Sequence, residues 1–332
     1  MNTILQIYYF TFAKLLAEGQ IYKLLCKYMK NLNSQNNNNT VVQSAGNLMG
    51  SSETIRQLSS FKNYNRNLLW FNGWLAGIID GDGNFDLRKL NNKIVLKAIR
   101  IKVHVRDVRI LTTIQNTLHF GRIRYDKKNP YCTYIVSTQE QMGEMINIIN
   151  GLIRLKVNPF KKACAFLDIT FKPSDYTLKP LDPYFAGLID SDGTIVFNYK
   201  GNRIECVLEF KLNEFSKKLN FDFVVPNYSP SAYYVRNGAI KFTYQRVNQM
   251  IFLYEYFMKN RLFCSMKFYR ISKIKYFLTI RHYQKYPKHS LEFRIYSSFL
   301  VDFIKYQNPK WPRVPFVKNL IIDKEIVQNY KQ

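Results

Sequence analysis

Two kinds of apolar spacing alternate along the middle of this chain. Asn84-Phe85-Asp86-Leu87-Arg88 alternates polar and apolar, and Ile99, Ile101, Val103 and Val105 alternate with Arg100, Lys102, His104 and Arg106. A period of two predicts strands with one buried and one polar face. Residues 108–118 read as a helix, Gly121 to Tyr125 and Tyr131 to Ser137 as a hairpin turning at Lys128-Asn129-Pro130, and residues 138–150 and 159–170 as helices. The order then recurs, with strands near 194–200 and 203–212, a hairpin from Ala232 to Gln245, and helices near 246–259 and 266–280. Asn237-Gly238 at the hairpin tip is a strong two-residue turn signal. Between Asn213 and Ser231 helical spacing is lost, so the counterpart of the 108–118 helix is expected to be shortened or distorted.

The flanks differ from this middle. Residues 1–30 read as one or two amphipathic helices, and residues 31–65, with the run Asn36 to Asn39, as a flexible linker. Order is expected from about Asn67. Pro180 and Pro183 mark a join between the two series, and Pro309, Trp311, Pro312 and Pro315 suggest a packed extended tail. The expected units are therefore 1–65 (tail and linker), 66–172 and 173–282 (two repeats), and 283–332 (a C-terminal extension).

Each repeat opens on the same nine-residue pattern. Leu75-Ala76-Gly77-Ile78-Ile79-Asp80-Gly81-Asp82-Gly83 recurs as Phe185-Ala186-Gly187-Leu188-Ile189-Asp190-Ser191-Asp192-Gly193, a spacing of 192 − 82 = 110 residues. A period that long means two similar subdomains and not a solenoid. The small pairs Ala76/Gly77 and Ala186/Gly187 let two helix backbones approach closely, as small-residue helix pairs do in membranes. Gly83 and Gly193 would release the chain from helix into strand. Side-by-side packing then sets Asp82 and Asp192 together at the helix ends. Two close carboxylates repel unless a cation sits between them, and Mg²⁺ favours carboxylate, water and phosphate oxygens.

Composition narrows the partners. The 332 residues are 47% hydrophobic, enough for a sizeable core, and 49 Lys+Arg against 23 Asp+Glu give +26. A pI near 9.8 points to a polyanion, nucleic acid or an anionic membrane surface. Cys26, Cys132, Cys164, Cys206 and Cys264 show no CxxC spacing, which supports neither a zinc site nor a disulfide framework. No Ser/His/Asp or Cys/His arrangement offers a nucleophile. The apolar run from Ile4 to Ala13 is too short to span a bilayer. The abundance of Lys, Asn, Ile, Tyr and Phe fits an A/T-rich coding genome such as organelles often have.

The doubled motif resembles the LAGLIDADG homing endonuclease family, over about residues 67–282. The resemblance implies an α+β fold of two pseudo-twofold-related αββαββα repeats, with antiparallel DNA-binding sheets and the motif helices packed at the interface. It implies a site-specific enzyme that makes metal-dependent double-strand breaks in a long DNA target. Asp82 and Asp192 become the metal ligands, with Gly81 and Ser191 beside them, and Mg²⁺ or another divalent cation such as Mn²⁺ the cofactor. Asp80 and Asp190 would instead tie helix ends. Lys156 and Lys267, near the start of each repeat's last helix, would stabilise phosphorane charge or orient a water.

The polar strand faces are then where DNA is read. In the first repeat these are Asn84, Asp86, Arg88, Arg100, Lys102, His104, Arg122 and Arg124. In the second they are Thr194, Asn198, Lys200, Glu205, Glu209, Lys211, Arg236, Lys241, Thr243 and Gln245. A major groove admits such a ribbon, and these residue types suit its base edges. Because the two faces differ, the target is expected to be asymmetric and the protein active as a monomer on double-stranded DNA. The resemblance also places it in a mitochondrion or other organelle (a chloroplast as the alternative), encoded within an intron. The competing readings are a maturase that binds intron RNA on the same scaffold, a DNA-binding protein without activity, and a basic membrane-associated protein; no membrane partner is expected.

Overall fold

In the computed structural model the described residues are 68–235 and 238–321. The expected 1–65 tail and linker, Arg236, Asn237 at the hairpin tip, Cys26 and the last eleven residues lie outside them. Helix α1 is helical from 68 to 82. It leads into strands β1 (Gly83–Leu90) and β2 (Lys93–His104), helix α2 (Val108–Leu118), strands β3 (Arg122–Tyr125) and β4 (Tyr131–Val136), and helices α3 (Gln139–Ile149) and α4 (Val157–Phe166). The second series runs α5 (Pro183–Ser191), β5 (Thr194–Asn198), β6 (Arg203–Lys211), β7 (Ser231–Val235), β8 (Ala239–Tyr244), α6 (Met250–Lys259), α7 (Ser265–Ser272) and α8 (Ile274–Ile280). The sheets have the same order, β1-β2-β4-β3 and β5-β6-β8-β7, and every pairing is antiparallel.

The alternation read from the sequence becomes two faces. Phe85, Ile99, Ile101, Val103, Cys132, Tyr134 and Val136 are buried on the inner face of the first sheet. Their neighbours by parity pair across the outer face, Asn84 opposite Arg100 and Lys102 opposite Thr133. Where Asp86 pairs with Ala98 and Leu87 with Leu96, Lys97 is the extra residue of a bulge, which bends the strand locally. In the second sheet Ile195, Phe197, Ile204, Cys206, Leu208, Ile240, Phe242 and Tyr244 form the buried face.

The motif helices α1 and α5 lie backbone to backbone. A Cβ on Gly77 would overlap the Tyr184 carbonyl oxygen and stand 2.8 Å from the Leu188 nitrogen, and one on Gly187 would overlap the Trp74 carbonyl oxygen. Asp182 caps α5 by accepting from the Tyr184 N–H at 2.9 Å, with Pro183 as the first helical residue. Gly83 and Gly193 do not adopt a left-handed φ. They are required because a Cβ there would collide with the backbone of Ile79 and Ile189.

Two expectations turn on the second repeat. Residues 213–231 are irregular, with only the short turn Ser216–Lys218, yet Leu219, Phe221, Val224, Val225 and Tyr228 from this stretch are buried. The core is filled without the helix. The extended tail is corrected: Leu291–Lys305 is a fifteen-residue helix, α9, started by Ser290 accepting from the Phe293 N–H at 3.2 Å. Phe293, Tyr296, Leu300, Phe303 and Ile304 are buried along it, and Phe303 packs against Phe197 with ring centroids 6.1 Å apart. The spacing 293, 296, 300, 303 is helical; the prolines beyond it belong to short turns at Trp311–Arg313 and Pro315–Asn319.

Candidate active site and nucleic-acid face

The buried acid of each motif builds the frame. Asp80 accepts from the backbone N–H groups of Arg154 at 2.7 Å, Leu155 at 3.1 Å and Lys156 at 2.8 Å, and from the Tyr184 hydroxyl at 2.7 Å. Asp190 accepts from the Phe263 and Cys264 N–H groups at 3.0 and 2.8 Å and from the Trp74 indole at 2.9 Å. Each carboxylate thus holds the loop entering its own repeat's α4 or α7 and is tied to an aromatic of the other repeat. Asp80 and Asp190 fix one helix to the next, and burial pushes both carboxyls upward against these donors, Asp190 to about 6.

Asp82 ends α1 and Asp192 follows α5. A Cβ on Gly81 would meet the Ser191 side chain and stand 3.3 Å from the Asp192 carboxylate, so the two helix ends converge. Desolvation, then repulsion by Asp192, push the Asp82 carboxyl up to about 6 against the pull of Lys267 and Lys156; desolvation also raises Asp192. Asp82, Ser191 and Lys267 open on a cavity of about 430 Å³ that Lys102, His104 and Asp107 also line.

Lys156 is the N-cap residue of α4 and Lys267 lies in the first turn of α7. Lys156 Nζ donates to the carbonyl oxygens of Ile79 (3.1 Å), Gly81 and Gly83. Lys267 Nζ donates to those of Ile189 (2.7 Å), Asp190 (2.8 Å) and Ser191 (2.9 Å). An ammonium has three donors, so both are fully engaged in capping the carbonyl ends of the motif helices. Their charge reaches Asp82 and Asp192.

Among the described residues no three of His, Cys, Asp and Glu cluster as a cage for a metal. A cation here would be held by Asp82 and Asp192, with water and phosphate supplying the remaining oxygens, as Mg²⁺ accepts. The carbonyls of Gly81 and Ser191 already receive the lysines, and the Ser191 hydroxyl donates to Gly187 O at 3.0 Å. The donor set fits a hard divalent ion shared by two mutually repelling carboxylates.

Both outer sheet faces are open beside this centre. Asn84, Arg88, Lys102, Arg122 and Arg124 are exposed, and Arg100 and His104 partly so. Asp86 is held by Arg88 at 3.1 Å and Arg100 at 2.8 Å. Thr194, Glu209 and Lys211 are exposed on the second face, and Lys241 lies 3.9 Å from Glu209. Glu205 receives Arg203 at 2.7 Å and Asn198 at 2.9 Å, and Gln245 receives Arg203 at 2.8 Å. Two positions do not fit the expectation. Lys200 lies in the turn between β5 and β6, because β5 ends at Asn198. Thr243 is 3% exposed and its hydroxyl meets the Tyr233 hydroxyl at 3.4 Å. Tyr131, Thr133, Ile135, Arg203 and Tyr233 share the open faces by register and were missed. Parity alone places them: Tyr131, Thr133 and Ile135 alternate with the buried Cys132, Tyr134 and Val136.

Residues 75–167 match the model of the LAGLIDADG endonuclease family. Over 150 residues the chain is 35% identical to the intron-encoded RNA maturase bI4 of Saccharomyces cerevisiae, covering 45% of this chain and 22% of that protein. Over 255 residues it is 27% identical to the intron-encoded DNA endonuclease ai2a of Dictyostelium discoideum, covering 72% and 78%. Among solved structures, the I-LtrWI LAGLIDADG homing endonuclease bound to target DNA superposes with a TM-score of 0.49 at 13% identity, over 72% of this chain and 96% of that one. The chain is thus similar to the LAGLIDADG endonucleases, with the family match falling on its first repeat. It spans about a fifth of the length of the maturase.

Proposed function

We propose that the protein is a homing endonuclease that makes a double-strand break in a long, asymmetric DNA site. The observation that carries this is the convergence of Asp82 and Asp192 between two open polar sheets. A bound divalent ion would lower the pKa of an attacking water and stabilise the leaving oxygen. The chain's own residues do the rest. Asp82 and Asp192 would hold the ion, Lys156 and Lys267 fix the helix ends that carry them, and the two sheets would lie in the major groove of the duplex. The faces differ in residue type, which supports an asymmetric site read by one chain acting as a monomer. Residues 66–172 and 173–282 would each supply half of this reader.

The test is cleavage of a randomised duplex library by the full chain with Mg²⁺, alongside Asp82→Asn and Asp192→Asn. We expect cuts at one long sequence that disappear in both variants while DNA binding persists. Cutting that survives both substitutions sinks the assignment. A second reading, an intron RNA maturase, is favoured by the 35% identity to bI4; tight binding to intron RNA without any cleavage would select it. The intron-encoded relatives support an organelle-encoded protein working in a mitochondrion.

A further inference from the structure

Residues 261–290 hold eight Lys or Arg and no Asp or Glu. The end of this stretch belongs to neither sheet, yet it is fastened to one of them. Asn202 Nδ2 donates to the Arg281 carbonyl at 2.8 Å, Gln284 Nε2 donates to the Tyr199 carbonyl at 3.1 Å, and the Tyr296 hydroxyl donates to Asn202 Oδ1 at 2.9 Å. Tyr199 and Asn202 form the turn between β5 and β6. Strand β5 starts at Thr194, two residues past Asp192, and runs away from it. At about 3.3 Å per residue the turn is roughly 15–20 Å from the metal centre, at the outer end of the second face. The docked segment therefore lies beside that turn, at the outer end of the second sheet.

Its charge is uncompensated. Lys285 and Lys288 are exposed. Among the described residues no ion pair engages Arg281, Lys285 or Lys288. Nearby, by contrast, Lys273 is paired with Asp302 at 2.7 Å. At the outer turn of the first sheet, Leu90 and Ile94, flanking Asn91-Asn92, are 54% and 45% exposed among the described residues. Held cations at the end of a groove-reading sheet suit one partner chemistry, the phosphates of a duplex that runs on past the sheet.

We propose that Arg281 to Lys288 clamps the DNA backbone flanking the second half of the target, lengthening the contact on that side only. This rests on the DNA-binding reading above. The test uses the full chain, a labelled 40-base-pair random-sequence duplex, and a salt titration of binding. Each lost phosphate contact lowers the log–log salt slope by about 0.9. K285Q/K288Q should therefore reduce the slope by about 2 and weaken binding about tenfold at low salt. K161Q/K162Q, exposed on α4 behind the first sheet, should leave the slope unchanged. An unchanged slope in K285Q/K288Q, or an equal fall in the control pair, overturns the clamp. So does a loss confined to a structured RNA probe of the same length, which would assign the segment to RNA. If the wild-type chain fails to bind the duplex, the DNA reading falls first, and that result is distinct from either outcome for the variants.

Discussion

Gly187→Ala tests the helix pair on which the site depends. The added methyl would overlap the Trp74 carbonyl oxygen and stand 3.0 Å from both Gly77 Cα and Ile78 N, where non-bonded heavy atoms prefer about 3.5–4.0 Å. All three neighbours are backbone on the facing helix, so no side chain can rotate away. The helices must part by about 1 Å. Overpacking of this kind costs about 1–3 kcal/mol, and the rigid neighbours put it near the top of that range. Gly143→Ala is the matched control: it lies inside α3 with nothing within 4 Å of the new methyl. There the lower entropy of the unfolded chain should stabilise by about 0.5–1 kcal/mol. Urea unfolding of both variants, with unchanged m values, reads the difference. Opposite shifts, separated by about 3–4 kcal/mol, are expected. If Gly187→Ala is neutral, or tracks Gly143→Ala, the close approach of the helices is not what holds the motif together.

Two further outcomes follow from the lysines and the carboxylates. Lys267→Met should lower the urea midpoint by the equivalent of about 2–3 kcal/mol, since it strands three carbonyl oxygens that a charged donor satisfies. Loss of cleavage with stability intact would instead show the ammonium acting on phosphate. Asp82, raised to about 6, binds more protons folded than unfolded between about pH 4 and 6. It therefore adds stability below its unfolded value that is lost as pH rises through about 6. Metal-free melting curves should show that decline, and Mg²⁺ should raise the melting temperature increasingly above pH 6 in wild type but not in Asp82→Asn. A magnesium shift equal in both proteins would place the ion elsewhere.

The sequence by itself determined the parts of this protein that obey local periodicity. Period-two runs gave the strands and their faces, since a pleated strand must alternate sides. The repeated motif gave the twofold plan, and it gave Asp82 and Asp192 because their position relative to Ala-Gly and to the following Gly is fixed within nine residues. The 291–305 helix follows its own helical spacing and was obscured only by the prolines that follow it. Tertiary structure decided everything that depends on which partner a group finds at long range. Lys156 and Lys267 were legible as basic residues near the centre, but their full commitment to the carbonyls of Ile79 to Gly83 and Ile189 to Ser191 spans more than 70 residues of chain. The exchange of Tyr184 and Trp74 between the repeats, to Asp80 and Asp190, is equally invisible to any local window. So are the burial of Thr243 beneath Tyr233 and the docking of Arg281 on the β5–β6 turn. A side chain's type and its face follow from the chain's own geometry. Whether its donors are free is settled only when distant segments pack and claim them, because a buried polar group must be satisfied by whatever the fold brings within reach.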